Sequence, residues 1–256
     1  TQLPSDVQDS RFFLWKDFMK LGAEIKDTAI LERTSRQKPG ECCTLVYTSG
    51  TTGNPKGCML SHDNLVWETT PMLAEWTKFD PTIAGPNNRV VSYLPLSHIA
   101  GLSVDLMTHM YNGHELYFAR PDALQGTLVL TLNWARPTIF FAVPRVWEKF
   151  EEKLKEIAAT KPHFMQSISG WAKGHGAAAV QARLKKEEPS FMYSVAHSLI
   201  LSKIKAALGL DQTKILSFGA APMKQTTIDY FSSLDMTLFN VYGMSETSGA
   251  TTFQTH

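Results

Sequence analysis

Short apolar runs of strand length alternate with longer segments of helical period along most of the chain. Strands of a parallel sheet are buried on both faces, so continuous apolar runs indicate such strands and the periodic segments between them indicate covering helices. The predicted strands are residues 44–48, 58–60, 89–94, 115–119, 138–143, 214–218 and 237–242. Residues 237–242 are predicted to be the last strand of the chain. The predicted helices are residues 63–78, 99–111, 123–135, 145–159, 193–208 and 226–234. Ser61 is the predicted N-cap of the first of these helices.

This alternation predicts an α/β fold with layered, largely parallel sheets and flanking helices. A chain of 256 residues, 43% hydrophobic and 19% charged, is long and apolar enough to bury such a core. Residues 1–40 are predicted to be an N-terminal segment of uncertain structure, with a helical period only over residues 15–25. Residues 161–189 lack a clear period, and their basic side chains are interpreted as a solvated face.

Charge and cysteine content exclude several classes of protein. The formal net charge of +1 argues against a nucleic-acid surface or a polybasic membrane patch. No apolar run reaches the length of about 18 residues that a membrane span requires, so no transmembrane segment is expected. The three cysteines, Cys42, Cys43 and Cys58, suit neither a disulfide framework nor a zinc site, which favours a reducing compartment.

The strongest chemical signal is a run of small and hydroxyl-bearing residues between the first two predicted strands. Glycines let backbone N–H groups approach an anion, hydroxyls donate hydrogen bonds and a lysine adds positive charge, so the run predicts a polyphosphate site. Its spacing differs from that of the P-loop, and the alternative interpretation is a flexible linker without a ligand. The residues are Thr48, Ser49, Gly50, Thr51, Thr52, Gly53, Asn54, Pro55, Lys56 and Gly57.

A second signal follows the last predicted strand. An aromatic ring, a hydroxyl and a carboxylate at the carboxyl end of a strand suit a nucleotide site at the edge of an α/β sheet. In the alternative interpretation the segment has only a structural role: Tyr242 packs in the strand and Glu246 lies at the start of a helix. The residues are Tyr242, Gly243, Met244, Ser245, Glu246 and Thr247.

Two further turns follow predicted strands. Gly219, Ala220, Ala221 and Pro222 are small enough to let a flat ligand approach the backbone, although a plain turn explains them equally well. His98 ends the segment 93–98, where a histidine is either a structural group or a binding residue. The remaining histidines show no metal-ligand spacing.

Together these segments resemble the adenylate-forming superfamily of acyl-CoA synthetases, luciferases and peptide-synthetase adenylation domains. The resemblance implies that residues 48–57 hold the phosphates of ATP and that residues 219–222 contact adenine together with Tyr242. It also implies that Ser245 lies toward the α-phosphate. The catalytic residues it implies are Lys56, His98 and Glu246, with Glu246 also holding Mg²⁺.

The sequence departs from the superfamily pattern at two positions. Ser245 stands where threonine is usual, which keeps the hydroxyl but holds it less tightly in one rotamer. Ala220 stands where a second glycine often lies.

Residues 61–64, 122–128, 143–149 and 243–247 resemble those of the long-chain acyl-CoA synthetases, in particular the "bubblegum" subgroup. This resemblance implies an AMP-forming fatty-acid:CoA ligase that uses a fatty acid, ATP with Mg²⁺, and CoA as co-substrate, and that has no nucleic-acid partner. Apolar walls for the fatty-acid tail could come from Trp134, Phe140, Phe141 and Trp147, although such residues are core residues first.

The resemblance also has implications for the extent and location of the protein. Residues 41–256 are expected to be part of the AMP-binding large domain, with the C-terminal domain absent and a ribose-binding aspartate outside the sequence. The chain alone is therefore expected to be poorly active. The expected location is cytoplasmic, with peripheral association at the endoplasmic reticulum or another intracellular membrane left open. Two alternatives are an inactive nucleotide- or lipid-binding relative and an adenylating enzyme with a different acyl acceptor.

Overall fold

A computed structural model describes residues 12–48 and 54–254. The chain forms two compact units, one up to Glu41 and one from Cys42 onward. The described part of the first unit contains two short helices, α1 (Trp15–Lys20) and α2 (Asp27–Arg36). The helical segment expected over residues 15–25 is shorter than predicted because the chain turns after Lys20.

The second unit begins with an antiparallel hairpin formed by β1 (Cys42–Thr48) and β2 (Lys56–Ser61). The two strands flank the segment predicted to bind phosphate. Val46 and Leu60 anchor the hairpin in a small buried apolar cluster with Ile99.

The hairpin leads directly into α3 (His62–Phe79). Ser61 and Asn64 close its first turn reciprocally: Asn64 N donates to Ser61 Oγ at 3.1 Å, and Ser61 N donates to Asn64 Oδ1 at 3.0 Å. The structure thus confirms the predicted N-cap at Ser61. The cap also fixes the helix to the end of β2.

The strands that follow build one mixed, mostly parallel sheet. They are β3 (Arg89–Ser92), β4 (Glu115–Phe118), β5 (Ile139–Ala142), β6 (Ile215–Gly219), β7 (Leu238–Met244) and β8 (Gly249–Phe253). The order across the sheet is β4–β3–β5–β6–β7–β8, and every neighbouring pair is parallel except β7 with β8. The predicted α/β class with largely parallel strands is confirmed.

Helices connect the strands and cover the sheet. They are α4 (Thr108–Asn112), α5 (Leu128–Ala135), α6 (Pro144–Ala159), α7 (His163–Leu184), α8 (Phe191–Ala196), α9 (Ser202–Ala207) and α10 (Gln225–Ser233). A π-helical segment, Ala100–Met107, runs into α4, and another, His197–Leu201, joins α8 to α9. The helix predicted over residues 123–135 is interrupted at Gly126, whose φ of 124° breaks the helical path.

The central strands of the sheet are buried on both faces, as parallel strands covered by helices require. Along β5, Phe140 and Ala142 belong to the apolar cluster on one face, and Ile139 and Phe141 belong to the cluster on the other. All four residues of this strand are buried, which explains why the sequence shows a continuous apolar run there.

Two elements differ from the sequence prediction. Residues 161–189 contain a helix of 22 residues, α7, which buries mainly small residues such as Ala172 and Ala179 and therefore shows a weak apolar period. Residues 237–242 do not form the last strand, because β8 follows and pairs antiparallel with β7. β8 is rich in glycine, alanine and threonine, so it lacks a strong apolar signal.

Gly176 of α7 lies against the last residue of α10. A Cβ at this position would lie 2.3 Å from the backbone oxygen of Ser233. We expect Gly176→Ala to lower the free energy of unfolding by about 2 kcal/mol, because one of the two helices must shift. Urea denaturation measures the change.

Gly170 and Gly174 of the same helix are matched controls. No heavy atom lies within 4 Å of a Cβ built on either. Alanine at each position should raise stability by up to about 1 kcal/mol through its higher helix propensity. A similar loss of stability in all three variants would contradict the assigned contact between α7 and α10.

Among the described residues, none of the helices combines the length and apolarity needed to cross a lipid bilayer.

Candidate active site

A cavity of about 630 Å³ opens where the hairpin meets the carboxyl edge of the sheet. Because parallel strands end at the same edge, the turns after β3, β6 and β7 emerge together there. Its lining residues are Thr48, Lys56, His98, Ile99, Ala100, Val104, Phe141, Ala220, Val241, Gly243, Met244, Ser245, Glu246, Gly249 and Ala250.

The cavity brings together part of each of the four predicted motifs. The predicted site residues that line it are Thr48, Lys56, His98, Ala220, Gly243, Met244, Ser245 and Glu246. The described residues of the motifs that do not line it are Asn54, Pro55, Gly57, residues 93–97, Gly219, Ala221, Pro222, Tyr242 and Thr247. Ser49, Gly50, Thr51, Thr52 and Gly53 lie outside the described residues. The roles assigned to all of these residues stay predictions.

Only one of the four aromatic residues considered as walls for a fatty-acid tail lines the cavity. That residue is Phe141. Phe140 and Trp147 are buried in the core on the other face of the sheet, and Trp134 is 74% exposed.

Lys56 and Glu246 supply the opposite charges among the described lining residues. Lys56 is exposed at the start of β2, and Glu246 is exposed in the turn Ser245–Thr247, which contacts β2. Burial raises the pKa of the Cys58 thiol in β2, and the negative charge of Glu246 raises it further. The carboxylate therefore lies close enough to the hairpin to act on its electrostatics.

Thr247 closes the turn that carries Ser245 and Glu246. Met244 N donates to Thr247 Oγ1 at 3.2 Å, and Thr247 Oγ1 donates to Gly249 O at 3.0 Å. We infer that Thr247 shapes the turn, while Ser245 and Glu246 line the cavity.

His98 is held in one tautomer by the backbone. Ala100 N donates to His98 Nδ1 at 3.1 Å, so Nδ1 acts as an acceptor. In the neutral ring the proton then lies on Nε2. His98 can therefore offer an N–H donor to an anionic ligand in the cavity that it lines.

Sequence reasoning missed two buried carboxyl groups behind the cavity. Glu68 of α3 is 3% exposed, and burial raises its pKa to about 7. Asp105, in the π-helical segment Ala100–Met107, is 1% exposed, and burial raises its pKa to about 8 although the N–H groups of Tyr93 and Leu94 and the Ser92 hydroxyl donate to it. The only sequence signal was a carboxyl residue at an otherwise apolar helix position.

The polar side chains of the cavity suit a Mg²⁺ ion that is bound partly by the protein and partly by a substrate. No group of three or more His, Cys, Asp or Glu residues in the described part of the chain could hold a metal ion. Glu246, beside the Ser245 hydroxyl, nevertheless offers one carboxylate in the open cavity. Mg²⁺ commonly binds through one or two carboxylates together with water and substrate phosphates.

Ala220 adopts a backbone conformation that favours glycine. Its φ is 67°. We expect Ala220→Gly to raise the free energy of unfolding by up to about 1 kcal/mol, because glycine adopts this left-handed conformation without steric cost. Thermal or urea denaturation checks the change.

Ala221 is the control for this prediction, because its φ is not in the positive range. Ala221→Gly should be neutral or destabilising, since glycine only adds conformational freedom to the unfolded chain there. A loss of stability in Ala220→Gly equal to that in Ala221→Gly would contradict the assigned strain.

Comparison with known proteins identifies the family of the chain. The family described as AMP-binding enzyme matches residues 5–256. The chain belongs to this family. The chain is 44% identical over 259 residues to the long-chain-fatty-acid–CoA ligase ACSBG2 of Xenopus laevis. The alignment covers 97% of this chain and 34% of the relative. It is 40% identical over 246 residues to the ligase ACSBG1 of Homo sapiens, covering 96% of this chain and 34% of that protein.

The predicted resemblance to the adenylate-forming superfamily and its long-chain acyl-CoA synthetases is thus confirmed. This AMP-binding enzyme chain spans about a third of the length of the curated relatives it matches.

Two solved structures illustrate the fold that the chain shares. Apo MatB from Rhodopseudomonas palustris matches with a TM-score of 0.53 and 19% identity, over 86% of this chain and 32% of that one. The A-PCP didomain of a carboxylic acid reductase from Segniliparus rugosus, in complex with AMP, matches with a TM-score of 0.54 and 23% identity, over 82% and 25%. The predicted fold type of the AMP-binding enzyme chain is therefore confirmed.

Proposed function

We propose that the protein activates a long-chain fatty acid with ATP and transfers it to CoA. The observation that carries this proposal is the convergence of Lys56, His98, Ser245 and Glu246, which come from three separate motifs, on one cavity. The curated relatives named long-chain-fatty-acid–CoA ligases support the choice of fatty acid and CoA.

In the first step, a carboxylate oxygen of the fatty acid attacks the α-phosphorus of ATP. An O–P bond forms, the P–O bond to pyrophosphate breaks, and acyl-AMP remains. In the second step, the CoA thiol attacks the acyl carbon, AMP leaves, and the thiol proton passes to solvent or base. No protein side chain needs to become a covalent intermediate.

The demand on the protein in the first step is electrostatic, since two anions must meet. Lys56 would stabilise the charge that develops on the leaving pyrophosphate. The Ser245 hydroxyl would donate to an α-phosphate oxygen, and His98 Nε2–H would orient the fatty-acid carboxylate. Mg²⁺ held by Glu246 would neutralise phosphate charge when it is bound.

The adenine is proposed to lie against residues 219–222 and Tyr242. Ala220 lines the cavity, which supports this placement. Tyr242 is 59% exposed, so it would contact the base from the outer side of the site. Residues 48–57 would enclose the phosphates.

The proposed location is the cytoplasm, where ATP and CoA are available. The free thiols of Cys42, Cys43 and Cys58 support a reducing compartment. We further propose that residues 41–256 are part of the AMP-binding large domain. On this proposal, a C-terminal domain and a ribose-binding aspartate would come from sequence beyond this chain.

The direct test supplies the full-length protein with palmitate, MgATP and CoA. We expect palmitoyl-CoA and AMP, identified by mass spectrometry. Palmitoyl-AMP without the thioester would indicate an adenylating enzyme with another acyl acceptor. If no fatty acid stimulates the exchange of labelled pyrophosphate into ATP, an inactive nucleotide- or lipid-binding relative would be the better description.

A further inference from the structure

Glu68 is a buried carboxyl residue in the middle of a largely apolar helix face. The neighbouring buried residues of α3 are Leu65, Thr69, Met72 and Trp76. Burying a carboxyl group costs free energy unless its partners compensate, and leucine would fill a similar space without that cost. The position therefore needs an explanation beyond packing.

The carboxyl group of Glu68 accepts a hydrogen bond from β8, a strand that contributes residues to the cavity wall. Ala250 N donates to Glu68 Oε1 at 2.6 Å. Ala250 and Gly249 both line the cavity and pair with Gly243 and Met244, which directly precede the Ser245–Thr247 turn. Glu68 is thus fixed to the strand that supports the turn carrying Glu246.

The approach of Glu68 to β8 is close. A Cβ built on Gly249 would lie 3.1 Å from Glu68 Oε1 and 2.9 Å from Ser103 Oγ. Gly249 also has a φ of 138°, which favours glycine. Because Gly249 has no side chain, the carboxyl group of Glu68 can reach the backbone of the strand.

The N-terminal end of α3 is fixed to the hairpin that carries Lys56. β2 begins at Lys56 and ends at Ser61, which caps α3 by the reciprocal hydrogen bonds with Asn64. A continuous path of strand, capped helix and one buried hydrogen bond therefore links Lys56 to the support of Glu246.

We propose that Glu68 is a positioning residue that fixes the separation between Lys56 and Glu246. This inference rests on the proposed function only in taking MgATP as the ligand of the cavity. Charge stabilisation depends steeply on geometry, and a misplacement of about 1 Å can cost about a hundredfold in rate. Glu68 acts through the backbone of β8 and contacts no substrate.

The test compares two substitutions of Glu68 in the full-length protein. Glu68→Leu removes the acceptor and leaves Ala250 N–H without a partner, so we expect the Kd and KM for MgATP to rise about tenfold, as loss of a buried hydrogen bond predicts. The KM for fatty acid should change by less than about threefold, because that substrate does not depend on the spacing of the two charges. Glu68→Gln keeps an acceptor oxygen and should restore most of the affinity for MgATP.

Glu75→Gln is the matched control on the same helix. Glu75 pairs with Lys78 at the surface and does not line the cavity. Its substitution should leave the Kd for MgATP unchanged. If Glu68→Leu fails to fold, Glu68→Ala serves in its place, and thermal melting of each variant checks folding.

Hydrogen exchange at the Ala250 amide gives a readout independent of activity. Exchange should be faster in Glu68→Leu than in the unmodified protein and should remain slow in Glu68→Gln. Faster exchange without weaker MgATP binding would overturn the proposal, as would equal weakening by the glutamine and leucine variants. If the protein binds MgATP in a Glu68-dependent way but forms no acyl-adenylate, the proposed function fails and the positioning role is supported.

Discussion

Lys56→Ala is expected to slow acyl-adenylate formation by about a hundredfold to a thousandfold, the effect typical of removing one charge-stabilising group from an active site. Its effect on the free energy of unfolding should stay within about 0.5 kcal/mol, because Lys56 is exposed and its ammonium group forms no ion pair or hydrogen bond with the described residues. Pyrophosphate exchange and urea denaturation measure the two quantities.

Lys78→Ala is the control for the lysine variant. Lys78 is an exposed cation in the last turn of α3, and its partner is Glu75. Its removal should leave the exchange rate within about twofold, since screened surface charges contribute little. A loss of stability in Lys56→Ala that matches its loss of activity would show that Lys56 is structural.

Glu246→Gln is expected to lower the rate of adenylate formation by about a hundredfold and to raise the Mg²⁺ concentration needed for half-maximal rate. The substitution keeps the shape of the side chain but removes the charge that would bind the cation. Because Glu246 lies exposed in its turn, folding should be little affected. A titration of the exchange rate against Mg²⁺ measures both effects.

The same variant carries an independent geometric readout. The charge of Glu246 raises the pKa of the Cys58 thiol. Its removal should lower that pKa and speed alkylation of Cys58 at fixed pH, measured by mass spectrometry of the modified peptide. Glu152→Gln, an exposed carboxylate of α6, should change neither the alkylation rate nor the Mg²⁺ titration. An unchanged rate of Cys58 alkylation in Glu246→Gln would place the carboxylate away from the hairpin.

The sequence was informative wherever local chemistry and burial agree. β5 is buried on both faces, and its apolar run predicted it to within a residue at each end. The cap at Ser61 was predicted because a serine directly before a helical period is a local signal. Three of the motifs follow strands of the parallel sheet, whose carboxyl ends lie at one edge, whereas the hairpin that carries Lys56 is a separate antiparallel pair.

The sequence was less informative where three-dimensional packing decides. Glu68 is a carboxyl residue at a largely apolar helix position, and only the fold shows that it is buried against β8. The buried face of α7 consists mainly of small residues, which give a weak apolar signal. The close contact of Gly176 is made with α10, which follows much later in the sequence.

The local geometry of β7 limits what a linear motif can place in the cavity. Val241, Gly243 and Met244 of β7 line the cavity, whereas Tyr242 does not. The pairing of β7 with β8 shifts register between Tyr242 and Gly243, so the regular alternation of side chains is interrupted within the motif. A motif can therefore predict the edge at which a site lies without predicting the direction of every side chain.

The most direct test of the central claim is a crystal structure of the protein with a non-hydrolysable ATP analogue and Mn²⁺, whose anomalous signal locates the metal. We expect the triphosphate between Lys56 and Glu246, with the metal on Glu246 and the base beside Ala220. A nucleotide bound elsewhere, or a metal distant from Glu246, would contradict the assignment of this cavity as the site of ATP.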